Sequence, residues 1–459
     1  MSLSADAAIA LVQKDLLPKM VADQAGLDRI DQWMRWEHES PHAPRTSTEE
    51  YRELASRAPT PWLRLVVSSV VQSLYVDGYR SSDATEESAA WEWWQRNGMD
   101  RRQIAVHRAA VGYGLAYATV LPGTDSFGEA MPIVRGVSPR RMMAYYSSPA
   151  DDDWPVYALR SDPTMIDGQA SKVLRLYDAN EVHFLTSSGD KVLYNGSAVH
   201  GIGVCPVVRY SAAMDLEGRA DGEVEPYIST AARIDQTSFD RLVVQRFSSW
   251  VVRTIAGLSL NETVSATNET TAQAKLRLKV EDLLVAEDKD TKFGSLPATP
   301  LDGFIAAKDA DIRDLSAVSQ TPPHHLLGQI ANLSADALVA AETSHSRKIE
   351  EQSTSLGQSH EQMLRLCARV AGDSAGARDM ASQVRWRDTS GRSLAQAADA
   401  LGKLADMLSV PVELLWEKIP GWTQQDVERA KELAADGGGL NQLLGQLVGA
   451  QTPSEPAPA

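Results

Sequence analysis

The chain is predicted to be an α+β protein, mainly α, on three observations. Residues 334–371 form one overlong amphipathic run, residues 113–210 break into short alternating segments, and helical periodicity dominates on either side of those segments. The overlong run opens at Ser334-Ala335-Asp336, where Ser334 can cap free backbone N–H groups and Asp336 suits the positive helix end. It meets no proline before Gly372 and spans about 38 residues, roughly 57 Å at 1.5 Å per residue. Leu338, His345, Ile349, Leu356, His360, Met363 and Cys367 mark its buried face, and Glu342, Lys348, Glu350 and Glu351 lie off that stripe. Helices of ordinary globular domains are much shorter, so a run of this length implies a large assembly.

The elements follow in order. Residues 5–38 recur at helical intervals through Leu11, Leu16, Leu17, Met20, Leu27, Ile30, Trp33 and Met34, with Pro18 predicted to kink or split the stretch. After a break at Ser40-Pro41-His42-Ala43-Pro44, a helix runs through Leu63, Val66, Val67, Val70, Val71 and Leu74 and stops near Gly78. The next, from Glu86, puts Trp91 and Trp94 on one face as core or subunit contacts and ends at Asn97-Gly98, which supplies a left-handed residue. Segments 115–120, 156–159, 173–177, 182–185 and 192–194 alternate with Gly, Asp, Asn or Ser, which predicts an antiparallel sheet. The alanines of the first segment also suit a helix. Asp151-Asp152-Asp153 falls in a turn between strands and reads as a solvated turn.

Pro226 is predicted to start a second long helix, with Glu223 and Glu225 at its positive end and Gly257 as its stop. Residues 259–300 are Thr/Asn/Ser-rich and then alternate through Leu276-Arg277-Leu278-Lys279-Val280, with Lys275, Lys289 and Lys292 adding basic character. Leu301–Val318 is a third helix, with Phe304, Ile305, Ile312 and Leu315 along one side. A short strand at Gln383–Trp386 and helices near 392–408, 411–418 and 423–435 complete the chain before a disordered Pro-rich end.

The length of 459 residues suits two or three domains, and 43% apolar with 23% charged residues is a globular composition. No apolar run is long enough to span a membrane, and the N-terminus lacks a signal-peptide pattern. Cys205 and Cys367, the two cysteines, fit a reducing cytoplasm and read as buried hydrophobes. A net charge of −16 argues against tight phosphate binding.

The catalytic patterns fail on context. There is no Walker loop, and Gly201-Ile202-Gly203 and Gly112-Tyr113-Gly114 lack a third glycine. His38-Glu39-Ser40-Pro41-His42 fits HExxH, but Pro41 prevents the helix that zinc ligation at that spacing needs. Gly372-Asp373-Ser374-Ala375-Gly376 fits a nucleophile elbow but follows a helix, and no histidine comes after His360. His324-His325 has no evident third ligand nearby, so it reads as a rigid turn in Pro322-Pro323-His324-His325-Leu326-Leu327-Gly328. Catalytic residues, cofactor and metal are therefore all expected to be none.

That turn, the run Asn332-Leu333-Ser334-Ala335-Asp336-Ala337-Leu338, and Ala341-Glu342, Lys348-Ile349-Glu350 and Met363-Leu364-Arg365-Leu366 resemble the portal proteins of long-tailed bacteriophages. The closest likeness is to those infecting actinobacteria, and Trp94, Asn97–Asp100 and Tyr113–Tyr117 extend it into the N-terminal half. The resemblance implies a portal-type fold with wing, helical stem, small α/β clip and helical crown. It also implies a ring, usually of twelve subunits, at one capsid vertex. On this chain the wing falls at 1–222, stem helices at 223–257 and 301–318, the clip at 258–300 and a channel loop at 319–333. The long wing or spine helix falls at 334–372, the crown at 373–436 and a flexible tail at 437–459.

The DNA-channel candidates are Lys308, Arg313, Gln329, Ile330, Asn332 and Leu333, with a salt bridge to Asp309 or Asp314 equally open to the two cations. The clip-docking candidates are Lys275, Arg277, Lys279, Lys289 and Lys292. The implied partners are double-stranded DNA read without sequence specificity, a terminase motor, the major capsid protein and a head–tail adaptor, with no membrane. The implied location is the virion, after synthesis in the host bacterial cytoplasm. The expected role is a non-enzymatic conduit for packaging and ejection. Another capsid-associated scaffold, which would lack a channelled ring, and a nucleic-acid-processing enzyme, which would turn over with metal or ATP, are the alternatives.

Overall fold

The computed structural model describes residues 3–43, 48–81, 89–166, 168–189, 191–248, 253–256, 292–295, 299–328, 335–387 and 394–435. Its elements run α1 (Ala5–Leu11), α2 (Leu17–Met34), α3 (Glu49–Ser56), α4 (Trp62–Val71), β1 (Val76–Arg80), α5 (Ala89–Arg96) and α6 (Met99–Tyr113). Strands β2 (Leu115–Thr124), β3 (Ala130–Val137), β4 (Met142–Tyr145), β5 (Tyr157–Ile166), β6 (Gln169–Tyr177), β7 (Glu181–Ser188), β8 (Lys191–Val199) and β9 (Val207–Ser211) follow. Then come α7 (Ile228–Ser248), β10 (Arg253–Ala256), β11 (Lys292–Ser295), α8 (Asp302–Val318), α9 (Pro323–Leu327) and α10 (Ala335–Ala371). The described chain closes with β12 (Gln383–Trp386), α11 (Leu394–Leu408), α12 (Val412–Trp416) and α13 (Gln424–Ala435).

This is the α+β mixture that the periodicities predict, with helix in excess. The N-terminal helix stays continuous and right-handed past Pro18, with a change of hydrogen-bond pattern just ahead of it in place of a split. Val12–Leu16 forms a π-helical turn, and Pro18 sits in the first turn of α2, where a missing N–H is tolerated. Gly98 has φ 60°, the left-handed residue between α5 and α6. Leu115–Thr124 is strand rather than helix, because it is paired on both edges, by β3 and β9. Gly372 ends α10 with φ 81°, and the following Asp373 carboxylate accepts from Ala375 and Gly376 N–H groups. The Gly-x-Ser-x-Gly match is therefore a helix-terminating turn.

Two predictions need correction. The second long helix is expected to reach Gly257, but Arg253–Ala256 is a strand paired antiparallel with Lys292–Ser295. The β-branched run Val251-Val252-Arg253-Thr254-Ile255 favours extended backbone over helix. That helix also begins later, since Glu225–Tyr227 is a 3-10 turn ahead of Ile228. Gly78, read as a helix stop, lies inside β1, which pairs antiparallel with β12.

By its contacts the chain divides into two compact units, one of Met1–His38, Pro61–Ala231 and Asp314–Ala459, the other of Glu39–Thr60 and Ala232–Arg313. In the first, a three-stranded sheet runs β3-β2-β9 and a five-stranded meander runs β4-β5-β6-β7-β8. Ala8, Val12 and Leu16 lie on Leu159, Leu174, Leu176 and Leu185 of the meander. Tyr117, Val137, Cys205 and Val207 join Met142, Ala158, Tyr177 and Val182 in a second core cluster. In the other unit, Leu54, Ala55 and Ala58 pack on Phe239 of α7. The Arg233 guanidinium there lies 2.8 Å from the Asp311 carboxylate, which also accepts from the Thr237 hydroxyl.

The predicted face of α10 is buried at His345, Leu356, His360, Met363 and Cys367. His360 is fully enclosed. Its Nε2 lies 2.7 Å from His107 Nε2, its Nδ1 lies 3.1 Å from the Tyr210 hydroxyl, and His107 Nδ1 lies 3.1 Å from the Leu74 carbonyl. Only one proton order satisfies all three contacts with neutral rings. A carbonyl can only accept, so His107 donates from Nδ1, His360 donates to His107 Nε2, and Tyr210 donates to His360 Nδ1. Burial pushes the His107 imidazole down to about 4 and His360 well below its ordinary value.

These lowered values make the unfolded chain bind more protons than the folded one between the two pKa values of His107, 6.5 and about 4. Stability is therefore complete above that window and is lost as pH falls through it. For His107 alone the loss is on the order of 3 kcal/mol. Urea denaturation across the window should show this slope, and His107→Gln should reduce it. A wild-type profile without slope would contradict the neutral, buried assignment.

Candidate functional site

The polar half of α10 is organised around the turn that enters it. Thr321 N donates to the Ser316 carbonyl, and the Ser316 hydroxyl donates to the Thr321 carbonyl, which closes the end of α8 on itself. Gln320 carries φ 51°, a left-handed turn at a non-glycine residue, and Gly328 ends α9 with φ 66°. Prolines fix backbone φ at the start of α9. The result presents His324 and His325 with their ring centroids 4.5 Å apart, edge to face. His324 Nε2 lies 2.8 Å and His325 Nε2 3.3 Å from the same Glu342 oxygen.

Farther along α10 the seam continues. His345 Nδ1 is 3.2 Å from the Gln320 carbonyl. Lys348 donates to the Ser319 carbonyl at 2.7 Å and to Glu223 at 2.6 Å, and Gln352 donates to the other Glu223 oxygen at 2.9 Å. Burial lowers the His345 pKa, and its bond to the Gln320 carbonyl partly opposes that. Residues 342, 345, 348 and 352 sit three or four apart on one helical face, so a single strip of α10 grips the turn and Glu223.

This strip corrects three expectations. Lys348, placed off the buried stripe, is inside, with its side chain 8% exposed against 13% for Glu223. Glu223, expected to serve a helix N-terminus, neutralises that buried ammonium instead. The His324-His325 pair, read as having no third ligand nearby, has Glu342 within reach: donor atoms of the three all lie within 4.8 Å of one another. Helical periodicity finds apolar faces but has no signal for a buried cation whose partner lies far away in sequence.

The named channel and clip residues are dispersed. Lys308 is half-buried on α8, where burial and the nearby Arg241 lower its pKa while Asp235 and Asp309 oppose that. Arg313 is exposed on the same helix. Lys292 opens β11 opposite Ala256. Gln329, Ile330, Asn332 and Leu333, with Lys275, Arg277, Lys279 and Lys289, lie outside the described residues. Of the rejected motifs, His38 stacks on Trp33 at 3.6 Å beyond the end of α2, so the HExxH match is not helical. The Asp151 and Asp152 carboxylates accept bonds from Ser148 within a turn.

A family model described as phage portal protein, SPP1 Gp6-like, matches residues 19–438, and the chain belongs to this family. The portal protein of Mycobacterium phage D29 is 28% identical over 357 residues, covering 74% of this chain and 71% of its own length. The portal protein of Mycobacterium phage L5 is 27% identical over 375 residues, covering 78% of this chain and 74% of its own. The protein is thus a structural, non-enzymatic phage portal protein, of the class that sits at the capsid vertex of the virion.

Lys348→Met should destabilise the fold by about 3–5 kcal/mol, because it strands the Glu223 charge in a buried site. Adding Glu223→Gln should restore much of that loss. Urea denaturation of the single and double variants checks both steps.

Proposed function

We propose that the chain assembles into a ring, of twelve subunits as the family's usual count, that forms the DNA channel of one capsid vertex. The observation that carries this reading is the family match across residues 19–438. The order of α7, the β10–β11 ladder, α8, α9 and α10 supports it, since a helix, a small β-containing insert, a helix, a turn and a very long helix match stem, clip, stem, loop and spine. On this reading the wing is 1–222, the stem 223–257 and 301–318, and the clip 258–300, with β10 (Arg253–Ala256) joining the clip through its pairing with β11. The channel loop is 319–333, the spine 334–372, the crown 373–436 and the tail 437–459.

Double-stranded DNA would pass in both directions, and such a conduit must not hold phosphates tightly. Each Lys or Arg contact adds salt-dependent affinity, so a chain of net charge −16 suits sliding. Lys308 and Arg313 are the proposed stem cations, and Gln329, Ile330, Asn332 and Leu333 the loop residues that touch DNA without reading bases. Lys275, Arg277, Lys279, Lys289 and Lys292 are the proposed clip surface for terminase and later for a head–tail adaptor. The capsid's major protein would surround the wing. Packaging work would come from the separate terminase.

Negative-stain images and native mass spectra of the full chain should show rings whose central channel is about as wide as a DNA duplex. Monomers alone under many conditions would overturn the proposal. Deletion of residues 326–333 should spare ring assembly and impair packaging or DNA retention; loss of assembly would contradict the loop placement.

A further inference from the structure

His324, His325 and Glu342 do more than close a turn. Imidazole nitrogens and a carboxylate are the donor set of three-ligand zinc sites, in which two histidines and one glutamate leave a position open for water. Four-coordinate zinc holds such donors at about 2.0–2.2 Å, which sets neighbouring donors roughly 3.4 Å apart. Here both Nε2 atoms already lie 2.8 and 3.3 Å from the Glu342 oxygen, and the three donors fall within 4.8 Å of one another. An ion would take the place of the protons between the imidazole nitrogens and the Glu342 oxygen, with only a small adjustment of side chains.

A second observation points the same way. His345 is one helical turn beyond Glu342, and its ring lies 5.7 Å from that of His325, edge to face. Its Nδ1 faces the Gln320 carbonyl at 3.2 Å, and since that oxygen can only accept, Nδ1 carries the proton. The lone pair is then on Nε2, which is buried and, among the described residues, has no hydrogen-bond partner, in a residue 3% exposed. A backbone carbonyl fixing the far nitrogen of an imidazole is the usual support for a metal-binding histidine. His345 is not one of the three converging donors, but next to the His325 ring it adds a buried imidazole whose proton is fixed on the nitrogen facing the Gln320 carbonyl.

We propose that His324, His325 and Glu342 bind one Zn²⁺-class transition-metal ion per chain, beside His345, and that the ion staples α9 to α10. The class follows from the donors: imidazole suits zinc and its first-row neighbours, whereas calcium and magnesium take oxygen ligands. Glu342 is the anion that offsets the charge of the ion. The site is formed within one chain and does not depend on the ring.

The test uses the purified full chain stripped with a chelator, with Zn²⁺ and Co²⁺ as probes. Calorimetry should give about one Zn²⁺ per chain with micromolar or tighter affinity. Co²⁺ should develop visible d–d absorption of a low-coordinate nitrogen/oxygen site, and Zn²⁺ should raise the melting temperature while Mg²⁺ does not. Glu342→Gln and His325→Asn should each weaken Zn²⁺ at least tenfold, by analogy with the loss seen on removing supporting groups of metal sites. His325 is exposed, so its variant tests the site even if Glu342→Gln perturbs the fold. His42→Ala, at an exposed histidine that is not one of the proposed ligands, should bind as the wild type does. Absence of Zn²⁺ binding by the wild-type chain, or undiminished binding by the His325→Asn variant, would overturn the proposal.

Discussion

The hydrogen-bond relay from Tyr210 through His360 and His107 to the Leu74 carbonyl is the constraint on which the larger unit depends. It ties β9, α10, α6 and the end of α4 together through atoms that must all be neutral. Trp94 and Trp386 pack against the same His360 ring, which brings α5 and β12 into the arrangement. Buried imidazoles are tolerated because each polar atom has one assigned partner; an extra proton would set two N–H groups against each other. The position of α10 is therefore set by directional bonds as well as by apolar area.

The two ends of α10 solve different problems. From Leu356 to Ala368 its buried residues are largely apolar and sit among the strands and helices of the first unit. From Glu342 to Gln352 the buried residues are polar, and they hold the turn through the Ser319 and Gln320 carbonyls. Lys348 pays its desolvation through two fixed partners, the Ser319 carbonyl and Glu223. A turn gripped by charges keeps one geometry, where a purely apolar contact would allow it to slide. That is a reasonable demand on a segment that enters such a long helix, and it explains why the helix carries ionisable groups on an inward face.

Much of this was legible in the sequence, and the limits were local in kind. The long helix, the α8 bounds and the strand at Gln383–Trp386 follow from periodicity and from glycine and proline punctuation. The β1 strand was hidden because Gly78 resembles a helix stop and its partner, β12, lies about three hundred residues away. The end of α7 is overrun in the sequence reading because the first clear stop after Pro226 is Gly257, beyond the strand Arg253–Ala256. Lys348 was assigned to solvent because periodicity scores side-chain polarity and cannot know that Glu223 arrives opposite it. Glu342 failed as a ligand for the same reason: it lies seventeen residues beyond His325, across a turn whose path the sequence did not define.

Charge links this fold to its proposed task. Many arginines of the first unit are already engaged: Arg140 with Asp28 and Asp31, Arg96 with Asp125 and Glu129, Arg160 and Arg175 with Asp162, and Arg385 with Asp77. These pairs are partly buried, so Coulomb attraction and desolvation largely offset each other in their net contribution to stability. Their consequence for a polyanion is larger, because a guanidinium that already faces a carboxylate offers a phosphate little net attraction and releases few counterions. Among the described residues of the first unit, the acidic excess and the internal pairing act in the same direction. A conduit of the proposed kind needs that: a duplex must be guided by weak contacts and released by every one of them.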